Sequence, residues 1–340
     1  MKKVGIVTLL GNNYGGVLQG FALKKCIEKK GFEVVQFKNE LNKKWTLKEI
    51  LKVFIYGLRN YKFMKYKKRF FNIKDLEKCD YYIAGSDQIW NPQIPFEQRK
   101  MFYLDFADKN KIAYAASIGI EKIEYSEENI AKIKKYLEDF RGISVREQKA
   151  KEILNNLIQN DVEVVLVPTL LLEKEEWDNH LLEPKENIEY IFTYFLGGAK
   201  KIKNVVNDFA QKNNYKIIDL FFKKEYKNLY KCKNTLSPQE FIGYIKNSQI
   251  VITNSFHGMV FSIIFHKPFY IITRGDMNSR IYDLLSLLDL SEYIIKEEEI
   301  EELLKKKIKK PDYRKVDKIL NEERNKAHKF LNKTLDIEGE

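Results

Sequence analysis

Within its first 37 residues the chain passes through an apolar strand, a glycine-rich turn, an amphipathic helix and a second apolar strand. Few folds accept that order. Residues 3–10, Lys-Val-Gly-Ile-Val-Thr-Leu-Leu, read as a buried strand. Gly11-Asn12-Asn13-Tyr14-Gly15-Gly16 follows as a turn, and Val17 to Lys30 then places Leu18, Phe21, Ala22, Cys26 and Ile27 on one helical face. Gly31 ends the helix and Phe32 to Phe37 forms the next strand. This is a βαβ unit, which demands a parallel sheet and a right-handed crossover.

The alternation continues. Further strands are predicted at Tyr81 to Ala84, Ile112 to Ser117, Gly142 to Val145 and Val162 to Val167, with helices at Glu127 to Phe140 and Arg146 to Ile158. Pro168 breaks the series, and a second one starts beyond it. Its strands fit Tyr190 to Phe195, Lys216 to Leu220, Gln249 to Thr253 and Pro268 to Thr273, and its helices fit Lys200 to Lys212, Pro238 to Lys246, Gly258 to Phe265 and Ser279 to Leu288. Ser237-Pro238-Gln239-Glu240 carries an N-cap serine, proline at N1 and glutamate at N3, a capping-box signature. The expected fold is α/β, with two doubly wound Rossmann-like domains facing a central cleft. The expected boundaries are 1–172 for the N-terminal domain, 185–311 for the C-terminal domain, and 312–340 for a C-terminal helix and tail.

Composition excludes several classes. Of the 340 residues 44% are apolar, enough for two cores, and no long stretch lacks apolar residues, so wholesale disorder is excluded. No run approaches the ~20 apolar residues that a membrane span needs. The strand begins at Lys3 with no signal-peptide hydrophobic region, which predicts a cytoplasmic protein. Cys26, Cys79 and Cys232 form no Cys-x-x-Cys pair, and His180, His257, His266 and His328 have no metal-ligand spacing. Neither a disulfide framework nor a metal site is expected. The net charge of +12 suggests nucleic acid, but only nine of the 60 basic residues are arginine, and the segment 42–71 holds ten basic residues against the single acid Glu49. The excess is local, so no nucleic-acid partner is expected.

Five stretches carry candidate chemistry. The turn at 11–16 could bring backbone N–H groups to an anion, or be a tight βα turn. Ala84-Gly85-Ser86-Asp87-Gln88-Ile89-Trp90-Asn91-Pro92 follows a strand at the carboxyl edge of the sheet, where open α/β sheets bind ligands. Its acceptors, donors and indole face suit a sugar; alternatively Asp87 caps a turn and Trp90 is core. Ser144-Val145-Arg146-Glu147 puts an arginine at a strand end, either to hold a carboxylate or phosphate or as half of a surface charge pair. In Val251-Ile252-Thr253-Asn254-Ser255-Phe256-His257-Gly258 the histidine opens a helix, where the dipole favours an anion and the imidazole could shuttle a proton. The bland reading is a core histidine. Thr273-Arg274-Gly275-Asp276-Met277-Asn278-Ser279-Arg280 follows the next strand, and Arg274 and Arg280 could close over an anion or pair with Asp276.

With these stretches in place, the chain resembles the polysaccharide pyruvyl transferase family over roughly residues 1 to 290. The marks are Gly11 to Gln19, Ala84 to Trp90, Ser144 to Glu147, Pro168-Thr169-Leu170-Leu171 and Thr253 to Gly258. The resemblance implies a fold similar to the two-domain glycosyltransferase-B architecture. It implies transfer of a pyruvyl group from phosphoenolpyruvate to two sugar hydroxyls as a ketal, in cell-surface or exopolysaccharide (capsule) biosynthesis. No cofactor is implied beyond that donor substrate. His257 matches the family's donor-side histidine and is expected as the acid, with Asp87 orienting the acceptor. Donor binding is then expected from Arg146, Asn254, Ser255, His257, Gly258, Arg280 and Arg274, and acceptor binding from Asn13, Tyr14, Gly15, Gly16, Gln19, Ser86, Asp87, Gln88 and Trp90. The acceptor is expected to be a glycan or lipid-linked saccharide.

One departure stands out. Family members carry an arginine two residues before that histidine, and here the position is Ser255. Arg280, with Arg274, is the expected substitute. The early loop departs too: the family's Asn-x-Gly-Asp-Glu run is here Asn13-Tyr14-Gly15-Gly16-Val17. The basic segment 42–71 places Trp45, Leu47, Ile50, Leu51, Phe54 and Ile55 in an apolar stripe continued by Phe63, Tyr66, Phe70 and Phe71. That stripe meets either anionic lipid at the inner face of the membrane or the protein's own core. Two rivals remain: a glycosyltransferase using a nucleotide sugar, and a noncatalytic glycan- or nucleic-acid-binding protein.

Overall fold

The structure, a computed structural model, describes residues 1–38, 57–119, 127–197, 200–220, 229–232, 235–273, 279–304 and 308–337. Arg274, Asp276 and positions 42–56 of the basic segment lie outside the described residues. The chain divides into two compact units. The first takes Met1–Thr46, Lys67–Leu172 and Ile319–Glu340, and the second Leu47–Tyr66 and Glu173–Lys318.

The first unit opens with β1 (Lys3–Val7), α1 (Tyr14–Lys29) and β2 (Glu33–Phe37). The chain resumes in α2 (Gly57–Phe70), then β3 (Ile73–Lys74), β4 (Tyr81–Asp87), β5 (Lys111–Ala116), α3 (Glu127–Glu138), β6 (Phe140–Val145), α4 (Gln148–Asn155) and β7 (Val162–Val164). Its seven strands lie in the order β3-β2-β1-β4-β5-β6-β7, with every pairing parallel. Sheets of this kind are covered on both faces. Accordingly β5, Lys-Ile-Ala-Tyr-Ala-Ala, is buried at all six positions. The strand order runs outward from β1 on one side and from β4 on the other, so the winding reverses between β1 and β4.

The second unit repeats the plan. It holds β8 (Tyr190–Tyr194), α5 (Lys200–Lys212), β9 (Lys216–Asp219), β10 (Leu229–Cys232), α6 (Pro238–Lys246), β11 (Ile250–Thr253), α7 (Phe256–Ile264), β12 (Phe269–Thr273), α8 (Ser279–Leu287) and β13 (Ile294–Lys296). The order is β10-β9-β8-β11-β12-β13, again all parallel, and the reversal falls between β8 and β11. The predicted capping box at Ser237 is present, with the serine hydroxyl accepting from Glu240 N and the glutamate carboxylate accepting from Ser237 N. Three short strands, β3, β10 and β13, were not legible in the hydropathy pattern because each has only two to four residues.

Two boundaries differ from expectation. The helix expected within 312–340 is present as α9 (Tyr313–Thr334), but it is not a separate segment: it starts in the second unit and ends in the first. Its Ala327, Leu331 and Leu335 are fully buried, Phe330 lies 6.2 Å from Tyr114, and Arg324 Nε donates to Leu170 O at 2.7 Å. Burying Leu331, Leu335 and Phe330 is worth about 1.5–3 kcal/mol each, which outweighs the charged appearance of the sequence. The described part of the basic segment also divides, Gly57 to Tyr66 counting with the second unit rather than the N-terminal domain. Tyr66 bonds His180 across 2.7 Å and Lys62 Nζ donates to both carboxylate oxygens of Glu240. Phe63 and Tyr66 are buried, so this part of the expected stripe belongs to the core.

Candidate active site

Open parallel sheets bind ligands where the winding reverses, just beyond the carboxyl ends of the two strands concerned. In the first unit those ends are Val7 and Asp87. Thr8 Oγ1 donates to Ser86 O at 2.7 Å and ties them together. Ser86 Oγ lies 3.1 Å from both Gln19 Oε1 and Ala115 O, so its one proton is shared between two acceptors. Thr8, Gln19 and Ser86 are all buried.

Asp87 ends β4 in a left-handed backbone conformation, φ +81°. Its Oδ1 accepts from Gln88 N at 2.9 Å, and its Oδ2 lies over Gly16. A Cβ at Gly16 would stand 2.8 Å from Leu9 O and 3.2 Å from Asp87 Oδ2, so only glycine lets the carboxylate come this close to the first turn of α1. A helix N-terminus stabilises such a charge. Arg146 completes the arrangement. Its NH2 lies 3.7 Å from Asp87 Oδ1 and its Nε 3.4 Å from Glu147 Oε2, with the guanidinium side chain only 2% exposed. Glu147 Oε1 in turn accepts from Ser117 Oγ, Ile118 N and Gly119 N at 2.7, 3.0 and 3.3 Å. The surface-pair reading of Arg146 and Glu147 therefore fails: both are buried, and Glu147 fixes the β5 exit loop and the arginine together.

The other candidates of this unit are distributed unevenly. α1 begins at Tyr14, three residues before the predicted start. Asn13 is its N-cap, accepting from Gly15 N at 2.9 Å, so the supposed glycine loop is the first helical turn. Tyr14, Gly15, Gly16, Gln19 and Ser86 are buried framework. Trp90 is corrected to core: it is 1% exposed, stacks on Tyr103 at 5.8 Å and donates from Nε1 to Phe102 O. Asp87, Gln88 and the exposed Asn13 keep accessible surface, with Gln88 Oε1 accepting from Asn91 Nδ2 at 3.0 Å.

In the second unit the reversal lies between the ends of β8 and β11, Tyr194 and Thr253. Thr253 Oγ1 donates to Tyr194 O and accepts from Ser255 N at 3.0 Å. Asn254 clips the two loops: its Oδ1 accepts from Leu196 N at 2.6 Å and its Nδ2 donates to Leu196 O at 2.9 Å. Ser255 is the N-cap of α7, its hydroxyl accepting from Gly258 N at 3.3 Å. A Cβ on Gly258 would meet Thr253 Oγ1 at 2.9 Å, so glycine here lets helix and strand end close on each other. These contacts hold His257 at the second helical position, half-buried, where the dipole is most positive.

Arg280, second residue of α8, lies 5.4 Å over the Phe256 ring, and that ring meets the His257 imidazole edge-on at 5.2 Å. A cation and an imidazole thus flank one phenyl ring at one helix start. Sequence reasoning missed Tyr194. Burial pushes its hydroxyl up to about 12, against the opposing pull of the Arg59 charge and a hydrogen bond with Ser255, so it remains a neutral hydroxyl at physiological pH. Its position as last residue of β8 was the available signal. Arg59 of α2, one of only nine arginines, was overlooked inside the lysine-rich run. Among the described residues no group of three His, Cys, Asp or Glu side chains is placed to hold a metal ion.

Solved structures share this architecture. The chain is similar to the UDP-GlcNAc 2-epimerase of Neisseria meningitidis, solved with UDP-GlcNAc, at 13% identity and TM-score 0.55, covering 98% of this chain and 99% of that one. It is similar to the S. aureus MnaA–UDP complex at 12% identity and TM-score 0.56, covering 100% and 98%. A further UDP-N-acetylglucosamine 2-epimerase gives TM-score 0.61 at 10% identity, covering 100% and 97%. At such identities the likeness shows the fold, two Rossmann-like units of the glycosyltransferase-B kind. No curated protein matches the chain significantly. The polysaccharide pyruvyl transferase profile matches residues 13–276, from the N-cap of α1 to beyond β12. The chain belongs to that family of transferases.

Proposed function

We propose that the chain transfers the pyruvyl group of phosphoenolpyruvate to two hydroxyls of one sugar unit, releasing phosphate and leaving a cyclic ketal. The observation that carries this reading is the start of α7, where His257 and Arg280 flank Phe256 above a capped helix N-terminus. The donor is an enol phosphate with a carboxylate. Its methylene carbon must gain a proton, and its anionic groups must be held. His257 supplies the proton as the first sugar hydroxyl adds to the neighbouring carbon and passes its own proton to the phosphate oxygens. The C–O bond to phosphate then breaks, hydrogen phosphate leaves, and the second hydroxyl closes the ring, its proton returning to His257. Arg280 and the α7 dipole hold the leaving phosphate. Tyr194, neutral and hydrogen-bonded to Ser255, is a further donor at that end of the sheet.

Ser255 has its hydroxyl committed to the helix cap, so it does not stand in for the family's arginine; Arg280 does. In the first unit Asp87 orients the acceptor, and Arg146, between Asp87 and Glu147, holds the Asp87 carboxylate in place rather than serving the donor directly. The acceptor is a lipid-linked or polymeric saccharide of a cell-surface glycan, handled in the cytoplasm.

The test is a thermal-shift titration with phosphoenolpyruvate in wild type, His257→Ala and Arg280→Ala. Ligand at about 100 times its dissociation constant stabilises by ~2.7 kcal/mol. A shift in wild type that both variants lose supports the reading. Stabilisation by a nucleotide sugar and not by phosphoenolpyruvate overturns it in favour of glycosyl transfer.

A further inference from the structure

α2 is apolar on two opposite sides. Its inward side is accounted for, because Phe63 and Tyr66 are buried in the protein. Its outward side has no such cover among the described residues. Leu58, Tyr61 and Met64 are 57%, 54% and 57% exposed, three large apolar side chains spaced three residues apart. Lys65, Lys68 and Arg69 are exposed as well. At 100° per residue these six fall within one arc of about 140°. The whole helix, Gly-Leu-Arg-Asn-Tyr-Lys-Phe-Met-Lys-Tyr-Lys-Lys-Arg-Phe, contains no acidic residue. The remaining cations serve the protein: Lys62 pairs with Glu240, Lys67 donates to Leu10 O, and Arg59 lies over the Phe63 ring.

From this juxtaposition we infer that the outward face of α2 docks on an anionic phospholipid surface. Interfacial helices combine large apolar side chains, which enter the acyl boundary, with lysine and arginine that meet anionic headgroups. Nucleic acid is a poorer fit, because a phosphate backbone rewards the cations and gives Leu58 and Met64 nothing. The face is distinct from the stripe first read in the sequence, whose Phe63 and Tyr66 point the other way. No described helix is long and apolar enough to cross a membrane, so the contact is peripheral. The inference does not depend on the identity of the donor or the acceptor.

Full-length protein is sedimented with vesicles of phosphatidylglycerol in phosphatidylcholine and with vesicles of phosphatidylcholine alone. Wild type should bind the anionic vesicles, with affinity falling as salt rises, and leave the neutral ones largely unbound. Each basic residue near such a surface is worth about five-fold in affinity, so Lys65→Glu/Lys68→Glu should weaken binding by about 25-fold or more. Leu58→Ser/Met64→Ser, which keeps every charge, should weaken it by about ten-fold. Both variants alter exposed side chains and should keep the wild-type melting temperature and response to phosphoenolpyruvate. No binding to anionic vesicles overturns the inference, as does binding that both variants retain. Capture of a single-stranded RNA oligomer in place of vesicles assigns the face to nucleic acid.

Discussion

The two units reverse their winding in the same way and close the reversal with the same device, a threonine hydroxyl donating to a carbonyl of the neighbouring strand. Thr8 bonds Ser86 O in the first unit, and Thr253 bonds Tyr194 O in the second. Beyond that link they diverge. The first unit fills its strand ends with buried charge: Arg146 between Asp87 and Glu147, with Glu147 holding three further donors. At the reversal itself the second uses neutral groups, Asn254, Ser255 and Tyr194, keeps its buried Lys203–Asp219 pair one strand away at the end of β9, and leaves His257 and Arg280 only half-buried. The same winding thus carries a buried Arg146–Glu147 cluster beside one reversal and a capped helix start with a half-buried imidazole beside the other.

Removing one of the half-buried groups should cost activity and little stability. His257→Ala should lower pyruvyl transfer by about 10²–10⁴-fold, the usual contribution of a positioned acid. Its urea midpoint should stay close to wild type, because the imidazole is only half-buried. A variant that keeps wild-type turnover would move the proton donor elsewhere and dissolve the contrast between the two ends.

The next effect is opposite in kind. Glu147→Ala removes one carboxylate from a guanidinium that is 2% exposed and strips Ser117 Oγ, Ile118 N and Gly119 N of their common acceptor. Breaking a buried pair in this way costs about 3–5 kcal/mol. Urea unfolding should show the loss in the transition of the first unit, with the second unit's transition unmoved. Glu147→Gln should restore part of it, since the amide oxygen can still accept from the three donors. Equal destabilisation of both transitions would mean that the charge cluster does not belong to one unit.

How much of this contrast was legible beforehand depended on the scale of the signal. The doubly wound order was plain, because alternating strands of three to seven residues and helices of eight to sixteen leave a strong periodicity. The His257 turn was plain too, since a β-branched strand running into Asn-Ser-Phe-His-Gly places its residues at a sheet edge by topology alone. Trp90 was misjudged, because a tryptophan beside polar residues looks the same in sequence whether its face is open or stacked on Tyr103. Glu147 was undervalued for a related reason: its partners Ser117 to Gly119 come from another strand, about thirty residues away. The C-terminal helix was legible, but its attachment to the first unit was not, because Ala327, Leu331 and Leu335 are outnumbered by charges that simply face water.

Ser255→Ala is the third expected effect. Losing the N-cap of α7 should cost about 1 kcal/mol, within the 0.5–2 kcal/mol typical of such caps. It should fall in the second unit's transition, and donor affinity should change only modestly, because the serine serves the helix. A collapse of phosphoenolpyruvate binding with unchanged stability would show instead that the hydroxyl contacts the donor.

The smallest effect concerns the attachment of α2 to the second unit. Burial works to raise the Glu240 carboxyl, but hydrogen bonds from Lys62 and from Ser237, with the Lys62 charge, outweigh it and leave the group below its ordinary value of 4.5. A depressed carboxylate contributes stability that is present above the unfolded value and is lost as pH falls through the folded one. The pair is partly exposed, 29% on each side, so its share is about 0.2–1 kcal/mol. Glu240→Gln should therefore be slightly less stable than wild type in urea at pH 7, and the gap should close as the pH drops below about 4.5. A gap that persisted at pH 3 would mean that Glu240 acts through the capping-box geometry rather than through its charge, and that α2 is held by Phe63, Tyr66 and His180 alone.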